Sequence, residues 1–354
     1  MNTMLIPKQH ISKILIIRLS AIGDVIRVIP AMEAIRIAYP DAQIDWVVEN
    51  KACDVINEHP ALNNCIIFDR TNELMTSLNK FLTLCRHIRQ NRYDLVLDFH
   101  GILKSGLISF FSKAPYRISF APPRAQELSY IFATHRVSLP KDRILTRVEE
   151  NFFLAEAIGA EKIDDWLGML LPAEIEEEIQ ELLQTLCQTN RKLIIIHPPV
   201  ERPEKQWQFE HFAKLADLLI ADGRFEVLFT WGPGQLDVIK QITKRMQYPV
   251  LVSPQLPTLK HLACLISHSS VFISGDTGPM HLAWLLHQPA ICIFGGTNPQ
   301  QHAPHGTYFK VLYKGPIPFP KKMTLHQAQE ALKQITPDEV FKTVLELTQQ
   351  INSS

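Results

Sequence analysis

The sequence predicts an α/β protein made of two doubly wound halves, each a parallel sheet wrapped by helices, facing one another across a cleft. Three observations carry that reading. Short, almost wholly apolar strand candidates alternate with amphipathic stretches of helical length, the signature of parallel βαβ units whose strands are buried on both faces. The alternation restarts after Pro172. And 354 residues that are 46% apolar are too many for one ordinary domain and enough for two cores.

In chain order, the first strands are expected at Lys13–Leu19, Ile44–Val48, Cys65–Phe68 and Leu95–Phe99, with helical pattern around Ala31–Ala38 and Ser77–Arg89. After a linker near residues 165–175, a charged helix at Ala173–Cys187 leads into a strand at Leu193–His197. A helix at His211–Ala221 and a strand at Phe225–Thr230 follow. Next come a helix at Leu259–Ser267, a strand at Val271–Ser274, a helix at Pro279–His287 and a strand at Ala290–Phe294. Tyr313–Met323, rich in Pro and Lys, reads as a loop. The halves are residues 1–168 and 173–335. A tail, 336–354, carries an amphipathic helix at Pro337–Ile351 expected to pack back on the first half.

Lys+Arg and Asp+Glu balance at 36 each. This argues against a general nucleic-acid binder, whose affinity comes largely from neutralising phosphates, and leaves room for a local basic patch. Six scattered cysteines with no Cys-x-x-Cys pair argue for a reducing compartment and against a zinc site. The apolar run Ile14–Leu19 is short and carries Arg18, so it does not read as a secretion leader. No stretch approaches the ~18–20 apolar residues of a membrane span. A cytoplasmic protein is expected.

In doubly wound sheets ligands bind outside the carboxyl ends of the strands. The first strand ends in Ser20-Ala21-Ile22-Gly23-Asp24. A carboxylate there can accept a proton from a substrate hydroxyl, or simply cap the following helix. A Gly-x-Gly-x-x-Gly fingerprint is absent. In the second half, Ser274-Gly275-Asp276-Thr277-Gly278-Pro279-Met280-His281 joins a strand to a helix. Pro279 suits the first turn, and free backbone N–H groups there favour an anion such as a diphosphate. Asp276 would repel phosphate, so it fits sugar hydroxyls or the loop itself. His281 lies one turn in, and the alternative for it is a satisfied core histidine. Lys205, in the segment His197-Pro198-Pro199-Val200-Glu201-Arg202-Pro203-Glu204-Lys205-Gln206-Trp207, can reach phosphates, or be a surface lysine beside a core tryptophan. The turns at Thr230–Gln235 and Phe294–Pro299 end two more strands. No Asp-x-Asp occurs, which weighs against a metal-bridged diphosphate, and no cofactor or bound metal is expected.

Together these segments resemble glycosyltransferase family nine, the lipopolysaccharide heptosyltransferases, over nearly the whole chain. The segment Asp98-Phe99-His100-Gly101-Ile102-Leu103-Lys104-Ser105, with His100 where the subgroup has Gln, is most similar to heptosyltransferase I; Arg124 and Arg147-Val148-Glu149 also fit it. The resemblance implies a GT-B fold of two Rossmann-like domains. It implies inverting transfer of heptose from an ADP-heptose donor to the Kdo of a Kdo-lipid A acceptor; because that acceptor sits in the inner leaflet, peripheral contact with the inner membrane is expected through basic or apolar residues of the first half, near Leu107–Arg117. By the same resemblance Asp24 is the general base. Lys205 and the backbone of Thr277 and Gly278 hold the leaving ADP, Asp276 and His281 contact the donor, and Gln235 takes the place of an acid that holds the ribose, with Asp237 a rival. Arg70 and Arg124, joined by Lys104, face the acceptor's carboxylate. Pro199 and Val200 stand where the family often has hydroxyls for the phosphates. Three other readings stay open. One is the same fold with another donor sugar or a heptose acceptor. The others are a sugar-nucleotide 2-epimerase, which leaves Arg70, Lys104 and Arg124 unexplained, and a silent nucleotide-sugar binder, which leaves Asp24 without a task.

Overall fold

Strand β1 (Lys13–Ile17) reads Lys-Ile-Leu-Ile-Ile, and every residue after Lys13 is buried, as a central strand covered on both faces requires. The computed structural model, which describes residues 5–6, 11–69, 74–187 and 189–352, divides into two units, residues 1–170 and 171–354. The first continues through α1 (Ile22–Ile26), α2 (Ile29–Ala38), β2 (Gln43–Glu49), α3 (Asn50–Ile56), β3 (Asn64–Phe68) and α4 (Leu74–Asn91). It closes with β4 (Leu95–Asp98), α5 (Leu103–Ser112), β5 (Tyr116–Phe120), β6 (His135–Val137) and α6 (Arg147–Glu156). The strands run β3-β2-β1-β4-β5-β6, all parallel.

Pro30 explains why two short helices follow β1. It sits in the first turn of α2, where its missing N–H is no loss, and the chain breaks after Ile26 to place it there. The backbone N–H groups of Leu167 and Gly168 donate to the Glu33 carboxylate at 2.9 and 3.3 Å, so the first unit holds the chain up to the expected linker.

The second unit contains α7 (Ala173–Leu186), β7 (Lys192–His197), α8 (Phe209–Asp222), β8 (Phe225–Phe229), α9 (Leu236–Thr243), β9 (Leu251–Val252) and α10 (Leu259–Ser267). It continues with β10 (Val271–Gly275), α11 (Gly278–Leu285), β11 (Ala290–Ile293), α12 (Pro299–His302), β12 (Phe309–Leu312), α13 (Leu325–Lys333) and α14 (Pro337–Asn352). Its order, β12-β11-β10-β7-β8-β9, repeats the first sheet's order strand for strand, and all its pairings are parallel. Trp207 anchors this core. It packs edge-on against Phe212 at 4.8 Å and donates its indole N–H to the Ile335 carbonyl, so its burial, worth about 2–3 kcal/mol, leaves no polar atom unpaired.

One expectation is corrected. The tail helix α14 turns its apolar face into the second unit. Val340, Val344 and Leu347, at helical spacing, are buried in the second unit's core beside α8, and Lys214 pairs with Asp338 at 2.8 Å across the same contact. No described helix is long and apolar enough to cross a membrane.

Candidate functional site

Each sheet reverses its strand order once, between β1 and β4 in the first unit and between β7 and β10 in the second. The crevice outside the carboxyl ends of such a strand pair is where doubly wound sheets hold ligands. The register brings Ile17 opposite Asp98 and His197 opposite Ser274. The segments after these strands carry Asp24, in the first turn of α1, and His100 in one unit, and Lys205 and Asp276 in the other.

Asp24 is not the cap of α1, a position held by Ala21. Its carboxylate is gripped from two sides, by the Arg18 guanidinium and by Arg27 at 2.8 Å, while about a third of its side chain stays exposed. Both arginines are themselves held. Arg18 donates to the Phe99 carbonyl at 3.0 Å, and its own carbonyl takes the Trp46 indole N–H at 3.1 Å. The Arg27 carbonyl accepts from Asn151 at 2.8 Å. The result is a carboxylate of fixed orientation with an open edge.

The segment Asp98–Ser105 folds around one buried carboxylate. Asp98 Oδ1 accepts the N–H groups of His100 and Gly101, both at 3.0 Å, and Oδ2 accepts the Ser105 hydroxyl at 2.9 Å. Gly101 has φ +72°, which its lack of a side chain permits, and a Cβ there would also meet Ala125. This turn delivers His100, whose Nδ1 accepts the Leu19 N–H at 3.3 Å. Burial, with Arg18, Arg124 and Lys104 adding to it and Asp24 opposing, pushes the His100 pKa down to about 3. The ring is therefore neutral near pH 7 and carries its proton on Nε2. Arg124 donates to Glu150 at 2.7 Å and to the His100 carbonyl at 3.3 Å, and lies over the Phe120 ring at 4.7 Å. Glu150 also holds Arg147 at 2.7 Å, whereas Glu149 caps α6 in a reciprocal pair with Thr146. Lys104 lies over the Phe68 ring at 5.1 Å. The structure thus gathers Asp24, Lys104 and Arg124 around His100. Arg70 lies outside the described residues.

In the second unit, Lys205 Nζ lies 2.7 Å from Asp276 Oδ2 and 3.2 Å from the Asp276 carbonyl. The Thr297 hydroxyl donates to the same Oδ2 at 2.6 Å. Burial alone would raise the Asp276 pKa, but Lys205, His281 and Thr297 outweigh it and hold it at about 2. Lys205 is not a loose surface lysine; half-buried, it is the counter-ion of a buried aspartate. Two glycines make this possible. The Gly296 N–H donates to the Glu204 carbonyl at 2.9 Å, and a Cβ on Gly295 would stand 2.6 Å from that same oxygen. The loop after β11 thereby presses the short turn Pro203–Lys205 toward Asp276.

Thr277 is the N-cap of α11, and its Oγ1 is buried and makes no hydrogen bond. Gly278 opens the helix and His281 is buried in its next turn. A buried hydroxyl without a hydrogen bond, beside free backbone N–H groups and an ammonium, is a cradle for an anion. Two of the family departures, Val200 and Gln235, have physical roles. Val200 packs its Cγ1 toward Gly275, and the Pro198 carbonyl takes the Gln206 side-chain amide at 3.1 Å. Gln235 turns inward, its Oε1 accepting the Gly232 N–H at 3.0 Å, so its carbonyl closes the local turn; Asp237 is exposed and paired with Lys240 at 3.1 Å. His197 is a satisfied core histidine, 3.1 Å from the Thr230 hydroxyl, with a pKa pushed down to about 4 by burial. An open groove of about 590 Å³ beside Val200, Gln206 and Gln329 includes none of Lys205, Asp276 and Thr277 in its lining, so it is not the anion cradle.

The residues missed in the sequence are Arg18, Arg27, Glu150 and Thr297. Arg18 had a signal, a charge closing an apolar strand, and Thr297 lay in a turn already marked as ending a strand.

Residues 81–329 match the family Glycosyltransferase family 9 (heptosyltransferase). The lipopolysaccharide core heptosyltransferase OpsX of Haemophilus influenzae is 25% identical over 84% of this chain and 83% of its own. Lipopolysaccharide heptosyltransferase 1 of Campylobacter coli is 25% identical over 95% and 98%. Relatives called heptosyltransferase 2 and 3 match at the same level. The crystal structure of a family 9 glycosyl transferase from Veillonella parvula superposes with a TM-score of 0.83 at 22% identity, over 96% of this chain and 97% of that one. That of Escherichia coli ADP-heptose lipopolysaccharide heptosyltransferase II gives 0.77 at 21% identity, over 96% and 99%. The fold is GT-B.

Proposed function

Given that the chain belongs to glycosyltransferase family 9, the heptosyltransferases, we infer that it moves heptose from an ADP-heptose donor to the Kdo of a Kdo-lipid A acceptor, with inversion, on the cytoplasmic face of the inner membrane. The observation that supports the donor half best is the start of α11, where the buried Thr277 hydroxyl, the first-turn N–H groups and the Lys205–Asp276 pair stand together.

In this reading the acceptor hydroxyl gives its proton to Asp24 as its oxygen attacks the anomeric carbon of the heptose. The bond from that carbon to the ADP oxygen breaks on the opposite face through a state of oxocarbenium character, and ADP departs with the electron pair. Lys205 and the backbone N–H groups of Thr277 and Gly278 hold the growing phosphate charge. Asp276 and His281 meet the sugar. Arg124 and Lys104, with Arg70, attract the Kdo carboxylate. His100 presents its Nε2–H to the same neighbourhood. Side chains and backbone fill every role, so a chelator leaves turnover intact; loss of turnover restored by added Mg²⁺ would oppose this.

Contact with the membrane is assigned to α5 and the single turn Ser129–Phe132, which pack together. Leu128 and Ile131 are 60% and 54% exposed, Phe110 is exposed beside them, and Lys113 lies over the Phe110 ring at 4.3 Å. Apolar side chains rimmed by cations suit an anionic lipid surface.

A panel of donors and acceptors tests the assignment. ADP-heptose with Kdo-lipid A should give the fastest transfer. A preference for another nucleotide sugar, or for a core already carrying heptose, would move the protein elsewhere in its family, and conversion of a nucleotide sugar without acceptor would make it an epimerase.

A further inference from the structure

Helices α7 and α10 pack against each other, and at their contact three side chains of different chemistry converge. Cys264 and His268 are four residues apart on α10, so they stand on one face of it. Glu176, in the first turn of α7, faces both. Its Oε2 is 3.0 Å from Cys264 Sγ and its Oε1 is 2.8 Å from His268 Nε2. The three ligand atoms lie within 4.8 Å of one another.

Hydrogen bonding does not complete this cluster. His268 Nε2 is buried and makes no hydrogen bond, although the carboxylate oxygen is 2.8 Å away, because the ring is not aligned to donate to it. The Cys264 thiol, buried and facing the carboxylate, is pushed up to about 12. A buried ring nitrogen 2.8 Å from one carboxylate oxygen but out of line for a hydrogen bond, beside a thiol that donates to the other oxygen at 3.0 Å, is a pattern expected of ligands that lack their shared cation.

We propose that Glu176, Cys264 and His268 form a binding site for a divalent cation of the Zn²⁺ class, with water as the fourth ligand. The donor set is one sulfur, one imidazole nitrogen and one carboxylate oxygen, which suits a borderline-soft, tetrahedral ion rather than Mg²⁺ or Ca²⁺. Metal–ligand bonds of about 2.0–2.3 Å in a tetrahedron separate the donors by about 3.3–3.6 Å. The present contacts are to different oxygens of Glu176, 2.8 Å from His268 to Oε1 and 3.0 Å from Cys264 to Oε2, and with all ligand atoms within 4.8 Å of one another one oxygen reaches both separations by a shift of about an ångström. Glu176 is already oriented, its Oε1 accepting the Gln180 amide at 2.8 Å. Its partial exposure, with that of His268, gives the ion an entry path. On binding, the Cys264 sulfur forms its bond to the metal and releases its proton to solvent, one proton per ion. The site lies apart from the transfer machinery in composition, sharing no residue with it. Its effect is to tie the first helix of the second unit to α10, which packs against the donor helix α11.

Neither ligand spacing nor cysteine count reveals this site in the sequence, because Glu176 comes from another helix 88 residues before Cys264.

The test is a titration of the chelator-stripped full chain with Co²⁺, followed by displacement with Zn²⁺. The expected result is one equivalent bound, with a thiolate-to-cobalt charge-transfer band, tetrahedral visible bands and release of one proton. Cys264→Ser should abolish the charge-transfer band, and Glu176→Gln, at a half-exposed position, should weaken binding at least about tenfold. Absence of the band at stoichiometric Co²⁺, or a band undiminished in Cys264→Ser or Glu176→Gln, overturns the proposal.

Discussion

The Lys205 ammonium lies 2.7 Å from an Asp276 oxygen that also accepts the Thr297 hydroxyl, so three loops, after β7, β10 and β11, meet at one carboxylate atom. Asp276 is 4% exposed, and removing its counter-ion strands a buried charge. Lys205→Ala should lower stability by about 3 kcal/mol and weaken ADP binding, read by thermal melting and by ADP titration. Lys205→Arg should recover most of the stability and less of the binding, since its planar fork does not reproduce a point charge. An unchanged melting temperature and unchanged ADP affinity in Lys205→Ala would return Lys205 to the ordinary surface.

Acid should destabilise the protein in two stages. His197 and His100 have folded pKa values of about 4 and about 3, against 6.5 for a free imidazole. A depressed folded pKa means that the unfolded chain binds the proton first. The stability these two give is therefore complete above about pH 6.5 and declines as pH falls toward 4 and then 3, by roughly 1.4 kcal/mol per pH unit for each. Asp276, at about 2 against 3.8, adds a second loss as pH falls from about 4 through 2. Urea midpoints measured across pH 7.5 to 4.5 (about three pH units, a range chosen to span the imidazole window) check the first stage. His197→Gln should flatten the slope, and a slope identical to that of the parent would contradict the assignment.

The exposed apolar patch has its own test. The double change Leu128→Ser with Ile131→Ser removes two side chains that touch solvent. It should reduce co-sedimentation with anionic vesicles while leaving transfer to a detergent-dispersed acceptor near the parent rate. Equal sedimentation would place membrane contact elsewhere.

Much of the architecture was legible because parallel strands buried on both faces are unmistakable apolar runs; β1, β2, β7 and β10 lie where the pattern put them. The stretch after Phe99 was not. There β6, the edge strand, is three residues long and β5 beside it begins with Tyr116-Arg117, partly exposed, so neither alternation nor apolarity marks them. The tail helix was placed on the wrong body because an amphipathic face says that it is covered, not by what. In the sites, the turns at strand ends announced Asp24 and Asp276. Their partners were silent, since Arg27, Glu150 and Thr297 are ordinary polar residues until the fold brings them within 3 Å. Lys205 was visible as a cation, but its pairing with Asp276 needs contact across 71 residues. His100 stood out only as a replacement for glutamine. Its setting between Arg18, Arg124, Lys104 and Asp24 is a property of the loop that Asp98 holds.

The most direct measurement is transfer by the full chain from ADP-heptose to Kdo-lipid A, comparing the parent with Asp24→Asn and following both acceptor mass and ADP affinity. Asparagine keeps the size of the side chain and some of its bonds to Arg18 and Arg27 but cannot take a proton. The account predicts a gain of one heptose on the acceptor, a kcat reduced by roughly 10²–10⁴ in Asp24→Asn, and ADP affinity unchanged. A variant that transfers heptose at the parent rate would contradict the account, as would one that loses ADP binding in step with its activity.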